Sequence, residues 1–541
     1  METKLKKLPI GIQTFEEIRS ENYIYVDKTM YLVKLIDSGK IYFFARPRRF
    51  GKSLTVSTFE AMFSGKKELF EGLAAEEFMN RANYRTSPVI RLDMSDVTTN
   101  EGIAAFSKSV KKLVLDQAII QDVELDIEDA PGEMLSSLIR KIYREKGKQK
   151  VVILLDEYDK PYSDFVNDHE MAEKIREVLR NFYVRIKTND EYIRFVFITG
   201  IAKFAKFGVF SGLNNPEDIS IDKKYGEICG LTEAEIVKYF PEYIEETAEE
   251  MNITSDELLE KMRNYYDGFC FDGVHRLYNP FSTVNFFAKK DFLNFWVKSG
   301  TSKLIADYLK TRKLTVEQFR NFPVSKDFLD EPGEMDSTPP EGFLYQGGYL
   351  TIREGKIRDY ALDYPNTEVL NAMSALLSQN ILSYTNENRL NVEKDLTNAL
   401  VFKRIDDLIG VFNRFLASIP YDDFEYAAKQ NISMEGIRLP AQEWLYRSCL
   451  FSFMQGNNLV VNAEVHNNKG RADLVIDCRG NTYVIELKVA YQPKDIPAKL
   501  AEAVEQMKTK NYLAPYPNAT GLAIVIDDTK RQITDDSYTV I

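Results

Sequence analysis

Residues 41–56 read IYFFARPRRFGKSLTV. Ile41 to Ala45 has the length and apolar character of a buried strand, and a basic loop then leads into a helix from about Lys52. At such a junction backbone N–H groups and a helix N-terminus can hold phosphates, with Lys52 reaching the β and γ phosphates and Ser53 ligating Mg2+. The full spacing GxxxxGK[ST] asks for glycine at position 46, where this chain has Arg46. Arg46, Arg49 and Gly51 therefore join Lys52 and Ser53 as candidate nucleotide contacts, with the loop geometry left open at its first position.

Outward from the loop, Val151 to Glu157 reads VVILLDE, an apolar strand ending in two acids. Asp156 would hold Mg2+ through water, and Glu157 would orient and deprotonate an attacking water. Phe195 to Gly200 places Thr199 at the end of the next strand, where a γ-phosphate sensor would lie. Singly, these residues also read as a basic turn, a helix cap and a strand end; their order along one α/β stretch gives them weight. Val89 to Leu92 adds a strand, and helical patterns over Gly102 to Gln121 and Asp168 to Lys187 separate the strands. Strands alternating with helices imply a parallel α/β sheet.

The opening LPIGIQTFEEIRSENYIYVDKT, with ARPRRFGKSLTVSTFEAMF, VVILLDEYDKP and VFITGIAKF, resembles the AAA-ATPase-like family of bacterial proteins. In that family Arg-Pro-Arg-Arg-Phe-Gly-Lys-Ser is itself the phosphate-loop form, so Arg46 matches a family trait. The resemblance takes in Tyr278-Asn279-Pro280 and Trp296 through Ser299-Gly300-Thr301. It implies a P-loop NTPase sheet over about residues 1–230, ATP as ligand and Mg2+ as cofactor, and it names no substrate. P-loop proteins of this kind often need a neighbouring subunit's arginine, which makes a homo-oligomer an open expectation; Arg194, Arg263 and Arg276 are not ranked for that role.

From about Leu231 to residue 415 helices dominate, through Glu260 and then over Phe281 to Phe295 and Thr315 to Phe322. The region reads as a helical lid. Near Gly342 to Tyr364 the hairpin GYLTIREGKIRDYAL follows helix-rich sequence and suggests a winged-helix-like unit. The acidic, Pro-containing Asp330 to Glu341 reads as an exposed linker.

Over about 420–541 the order is helix (Pro440 to Gln455), strands (Leu459 to Val465, Ala472 to Cys478, Thr482 to Val489), helix (Ala498 to Leu513) and strand (Gly521 to Ile526). The turn at Arg479 to Asn481 folds two strands together and brings Asp473 roughly opposite Glu486. Side chains alternate along a strand, so Lys488 shares a face with Glu486. Asp473 and Glu486 would bind Mg2+ or Mn2+, Lys488 would position water or steady a charged transition state, Glu443 could add a carboxylate, and Gln506 could approach from the following helix. Alone, Asp…Glu-x-Lys is also a common surface pattern. In αβββαβ order with Arg-Ala-Asp it resembles the PD-(D/E)XK nuclease superfamily, which implies a small α/β restriction-endonuclease-like domain.

Composition bounds these readings. The 541 residues exceed what one core usually supports, and 44% hydrophobic with 28% charged residues matches a folded protein. A net charge of -12 supplies no general attraction to nucleic acid, so DNA or RNA would need a local basic groove. Cys229, Cys270, Cys449 and Cys478 lack metal-ligand spacing and read as reduced, buried thiols; His169, His275 and His466 form no zinc pattern. No export signal follows the charged start, and the most apolar runs fall short of the roughly 20 residues a membrane span needs, which points to a cytoplasmic protein.

The expectation is an ATP-binding, ATP-hydrolysing protein controlling a metal-dependent nuclease-like module that acts on nucleic acid. A nucleotide-dependent switch that binds DNA or protein without cleavage is the alternative. A degenerate pair of domains with only an assembly role is the third.

Overall fold

The structure, a computed structural model, describes residues 5–98, 102–163, 165, 168–201, 213, 215–298, 316–330, 339–355, 360–382, 386–417, 441–457, 459–466 and 470–541. The chain forms two compact units. One takes residues up to Ile305 together with Asn321–Val369, and the other takes Leu370–Ile541 with Ala306–Arg320. Part of the expected linker (331–338), the expected domain start at 420 and the stretch Ser299-Gly300-Thr301 lie outside the described residues.

In the first unit, strands β1 (Ile41–Ala45), β2 (Val89–Asp93), β3 (Val151–Asp156), β4 (Ile193–Gly200) and β5 (Glu217–Asp218) form a parallel sheet in the order β2-β3-β4-β1-β5. Every residue of β1 and β3 is buried, as expected where helices cover both faces of a parallel sheet and the strands must be continuously apolar. The helix Lys52–Ser64 packs on β2, β3 and β4, and the helices Ile103–Ile120, Pro131–Glu145 and His169–Thr188 pack on one another. Strand β4 separates β1 from β3, so the phosphate loop and the acidic strand end flank Thr199 at the carboxyl edge of the sheet. Ligands of open α/β sheets bind at that edge.

Downstream, Thr232 and Thr254 each make a capping box, with Glu235 and Glu257, and so start the helices Glu233–Tyr239 and Ser255–Tyr266. The helix expected over Phe281 to Phe295 is instead Pro280–Lys289 followed by a separate turn, Phe295–Lys298. Lys290 breaks it with φ of 51°, and its ammonium bonds Glu246 and Glu250 at 2.7 and 2.5 Å. Nor is Thr315 to Phe322 a helix. Residue 315 lies outside the described residues, Val316–Phe319 is a single tight turn, and Phe322 opens strand β6 (Phe322–Val324), where Pro323 disfavours helix. With β7 (Thr351–Glu354) and β8 (Tyr360–Asp363) it forms an antiparallel sheet in the order β6-β8-β7, preceded by the helix Pro340–Gln346, so the expected hairpin is present. Tyr266, Phe286 and Phe287 are buried in the helical core and pack against one another at tilted angles.

In the second unit, β9 (Val460–His466), β10 (Arg471–Cys478), β11 (Asn481–Ala490), β12 (Thr520–Asp527) and β13 (Tyr538–Val540) form a mixed sheet ordered β13-β12-β11-β10-β9. The first three strands are antiparallel, and β12 returns parallel to β11 through the helix Ile496–Thr509, which packs on both. The helix Ala441–Gly456 packs on β9, β10 and β11. All four cysteines are buried, and none is in a disulfide. No helix among the described residues is long and apolar enough to cross a membrane.

Candidate functional site

The loop from β1 to the helix Lys52–Ser64 turns through two left-handed residues, Arg49 (φ 66°) and Gly51 (φ 98°). Glycine takes that conformation without the steric cost a β-carbon brings. Lys52 is buried, and its ammonium curls back to donate to the Pro47 carbonyl at 3.0 Å. Arg49 lays its guanidinium 4.8 Å from the centre of the Phe281 ring. Arg46 is placed elsewhere: 1% exposed, it donates to the carbonyls of Ala45 (3.0 Å), Ser220 (2.5 Å) and Gly226 (3.4 Å), between the rings of Phe44 and Phe271. Its charge anchors the root of the loop and does not line the cavity below.

Asp156 is fully buried; Oδ1 accepts from the Glu157 N–H at 3.0 Å, and Oδ2 has no hydrogen-bond partner among the described residues. Burial pushes its carboxyl up, opposed by the nearby Ser53 hydroxyl and the Lys52 charge. An orphaned carboxylate oxygen beside a serine hydroxyl at a phosphate loop fits Mg2+ in the expected place. Glu157, in the left-handed region at φ 48°, is also pushed up by burial, with Lys52 and Arg48 opposing and Asp159 and Asp93 adding to the rise. The Thr199 hydroxyl is buried without a hydrogen-bond partner among the described residues.

Two acids here were not singled out from sequence. Asp93 ends β2 and pairs in register with Asp156. Asp159 accepts the Ile201 N–H on both oxygens, at 3.2 and 3.1 Å, and so fixes the chain just beyond β4. A cavity of about 490 Å³ opens over the loop, lined by Arg48, Arg49, Gly51, Lys52, Ser53 and Glu157, with Pro9 to Gln13 and Phe281 on other walls. Asp156 sits behind Ser53, and Thr199 and Arg46 lie outside this lining.

In the second unit the register pair Leu474 and Ile485 sets Asp473 beside Glu486 across β10 and β11, and Asp473 Oδ2 accepts the Leu487 N–H at 2.8 Å. Lys488 Nζ lies 2.8 Å from Glu486 Oε1 and 3.5 Å from Glu443 Oε1. Arg447, one helical turn beyond Glu443 on the same face, reaches Asp473 Oδ1 at 3.3 Å. Sequence reading missed Arg447, although its i+4 spacing from Glu443 was visible. Gln506 donates to the Tyr512 hydroxyl at 3.1 Å, and Tyr512 lies near enough to Glu486 and Asp473 for their charges to push its hydroxyl up beyond the effect of burial.

Burial, then the Asp473 charge, push Glu486 up to about 8 against the pull of Lys488. Burial also raises Glu443. Desolvation alone would lower Lys488, but Glu486 and Glu443 outweigh it and push the ammonium up. Among the described residues no three acid, histidine or cysteine side chains gather into a ready-made cation cage, and the Lys488 ammonium bridges Glu443 and Glu486. Glu486 Oε2 is nonetheless buried without a partner among the described residues, which fits a metal ligand.

A family model described as Predicted AAA-ATPase matches residues 9–210, and one described as PD-(D/E)XK nuclease superfamily matches residues 441–535. An uncharacterized protein in the vnfD 5'region of Azotobacter chroococcum mcd 1 is 33% identical over 521 residues, covering 94% of each chain. No solved structure matches. The chain therefore belongs to the AAA-ATPase-like family and carries a PD-(D/E)XK nuclease superfamily domain at residues 441–535.

Proposed function

We propose that the first unit binds and hydrolyses ATP with Mg2+ and thereby controls a metal-dependent nuclease site in the second, acting on DNA or RNA in the cytoplasm. The observation that carries this reading is the convergence of Lys52, Ser53 and Glu157 on one cavity with Asp156 behind them. Lys52 leaves the Pro47 carbonyl to neutralise phosphate oxygens. Ser53 and Asp156 hold the cation, and Glu157, its basicity raised by burial, takes the proton of the attacking water.

In the second unit Asp473 and Glu486 hold the metal, with Glu443 in reserve, and Lys488 turns toward the water or the developing charge. Divalent cations at either site supply polarisation of phosphate oxygens and a lowered pKa for a coordinated water. The test is Mg2+- and Mn2+-dependent cleavage of a panel of DNA and RNA, with and without ATP. Cleavage lost in Asp473→Ala, and responsive to ATP only when Lys52 is intact, supports the reading.

A nucleotide-dependent switch that binds nucleic acid or protein without cutting is favoured by one observation. Arg447 and Lys488 already engage all three carboxylates of the nuclease-like site. ATP binding without cleavage of any substrate in the panel would select the switch.

A further inference from the structure

Glu368 is wholly buried, and both of its carboxylate oxygens are engaged. Oε1 accepts the main-chain N–H of Trp296 at 2.7 Å, and Oε2 accepts the Ser282 hydroxyl at 2.8 Å. Leaving an oxygen of a buried carboxyl group unbonded is costly, so both contacts are held firmly. Each leads to the phosphate loop. The Trp296 indole N–H donates to the Arg48 carbonyl at 3.1 Å, and Ser282 lies in the first turn of the helix whose Phe281 ring faces the Arg49 guanidinium at 4.8 Å. The same wall presses on the preceding loop residue. Gly348, at φ 83°, comes so close that a β-carbon there would stand 2.6 Å from Pro47 and 3.2 Å from the Trp296 ring. Pro47 in turn holds the Lys52 ammonium.

We propose that Glu368 is a positioning residue for nucleotide binding, setting the phosphate loop at Arg48 and Arg49 through Trp296 and the Ser282 helix. The inference rests on the nucleotide reading above. Nothing in the GKS motif contains these residues; they come from chain positions more than 200 residues downstream and from outside the strand–loop–helix unit. Tyr349 and Phe269, with ring centres 5.1 and 5.9 Å from that of Trp296, keep the indole from swinging away.

Trp296 and Trp444 are the two tryptophans of the chain, so a Trp444→Phe background makes Trp296 a single emitter. In the full-length protein, Trp296 emission should shift on addition of Mg-ATP, with a midpoint matching the Kd from equilibrium dialysis, and Lys52→Ala should abolish both. Glu368→Ala should weaken Mg-ATP binding about three- to tenfold and blunt the emission change, as expected for losing one or two net hydrogen bonds. Glu368→Gln, which keeps an acceptor for the Trp296 N–H, should recover most of the affinity, a rescue that general loosening of the core would not give. Should Glu368→Ala fail to fold, Trp296→Phe carries the test, since it keeps a ring but deletes the indole donor and should show the same weakening. Wild-type affinity in both Trp296→Phe and the folded Glu368 variants, or unchanged emission at saturating Mg-ATP, would overturn the proposal. Absence of any binding by wild type would instead sink the nucleotide reading on which it stands.

Discussion

Lys488 holds one oxygen of Glu486 at 2.8 Å while the other oxygen of that carboxyl group is buried with no partner among the described residues. A proton or a divalent cation can satisfy the orphaned Oε2, and the two compete. With the carboxyl pushed up to about 8, chiefly by burial, the proton has the advantage at neutral pH. Mn2+ affinity should therefore rise by about tenfold per pH unit from pH 6 toward 8, one proton leaving per cation bound, and flatten above. Titration calorimetry in buffers of different ionisation enthalpy would read both the slope and the released proton. A flat profile in wild type, or an unchanged one in Glu486→Gln, removes Glu486 from the ligand set.

The same carboxyl makes stability depend on pH. Its folded value lies above the ordinary glutamate value of 4.5, so the folded state holds a proton that the unfolded chain has lost. That stabilisation is complete below about 4.5 and disappears as pH rises through about 8. Glu368, pushed up to about 8 mainly by burial, behaves alike in the first unit. Melting temperatures should fall by several degrees between pH 6 and 8.5 without added metal, and Glu486→Gln with Glu368→Gln should flatten the fall. Scanning calorimetry with each single variant assigns the two contributions, and a wild-type profile that stays level would show that neither proton is held.

Glu157 should separate binding from chemistry. Glu157→Gln keeps the shape of the residue that follows β3 but cannot accept a proton from water. ATP affinity should stay within about threefold of wild type while phosphate release falls by about 10²- to 10⁴-fold. Hydrolysis at the wild-type rate in this variant would move the base to another group, with Asp93 and Asp159 the nearby acids to try next.

Much of this was legible where chemistry is written locally. The run Ile41 to Ala45 is the strand the structure contains, and the acids after Val151 to Leu155 end a strand whose every residue is buried. Asp93 was illegible because its nearness to Asp156 depends on strand register, and no motif links positions 63 residues apart. Strands β5 and β13, two and three residues long, are held by neighbours and carry no period of their own. Arg447 escaped because an arginine on an amphipathic helix reads as solvated until a buried carboxylate appears opposite it.

Arg447 also makes a testable pair. It is 1% exposed, and removing one member of a buried ion pair leaves the other charge without its partner. Arg447→Met should destabilise the second unit by about 3 kcal/mol, whereas adding Asp473→Asn should return about 1–3 kcal/mol of that loss. Urea unfolding of the four proteins of the cycle measures the coupling. Strict additivity would show that the 3.3 Å contact contributes nothing to the fold, and would leave Asp473 free to serve a metal alone.

Arg46 and Lys52 offer the sharpest contrast in the phosphate loop, because their sequence context made both candidate nucleotide contacts and their surroundings differ. Arg46 donates to three main-chain carbonyls between two aromatic faces, so Arg46→Met strips several charge-assisted hydrogen bonds from buried acceptors. Each such bond is worth about 1.5–3 kcal/mol and the ring contacts about 0.5–2 more, so a loss of at least about 3 kcal/mol is expected. Lys52 makes one bond, to Pro47, across a loop that opens on the cavity. Lys52→Met should therefore cost less than about 1.5 kcal/mol of stability and yet abolish measurable Mg-ATP binding. Chemical denaturation alongside dialysis separates the two, and a stable Arg46→Met protein with weakened nucleotide binding would return Arg46 to the binding site.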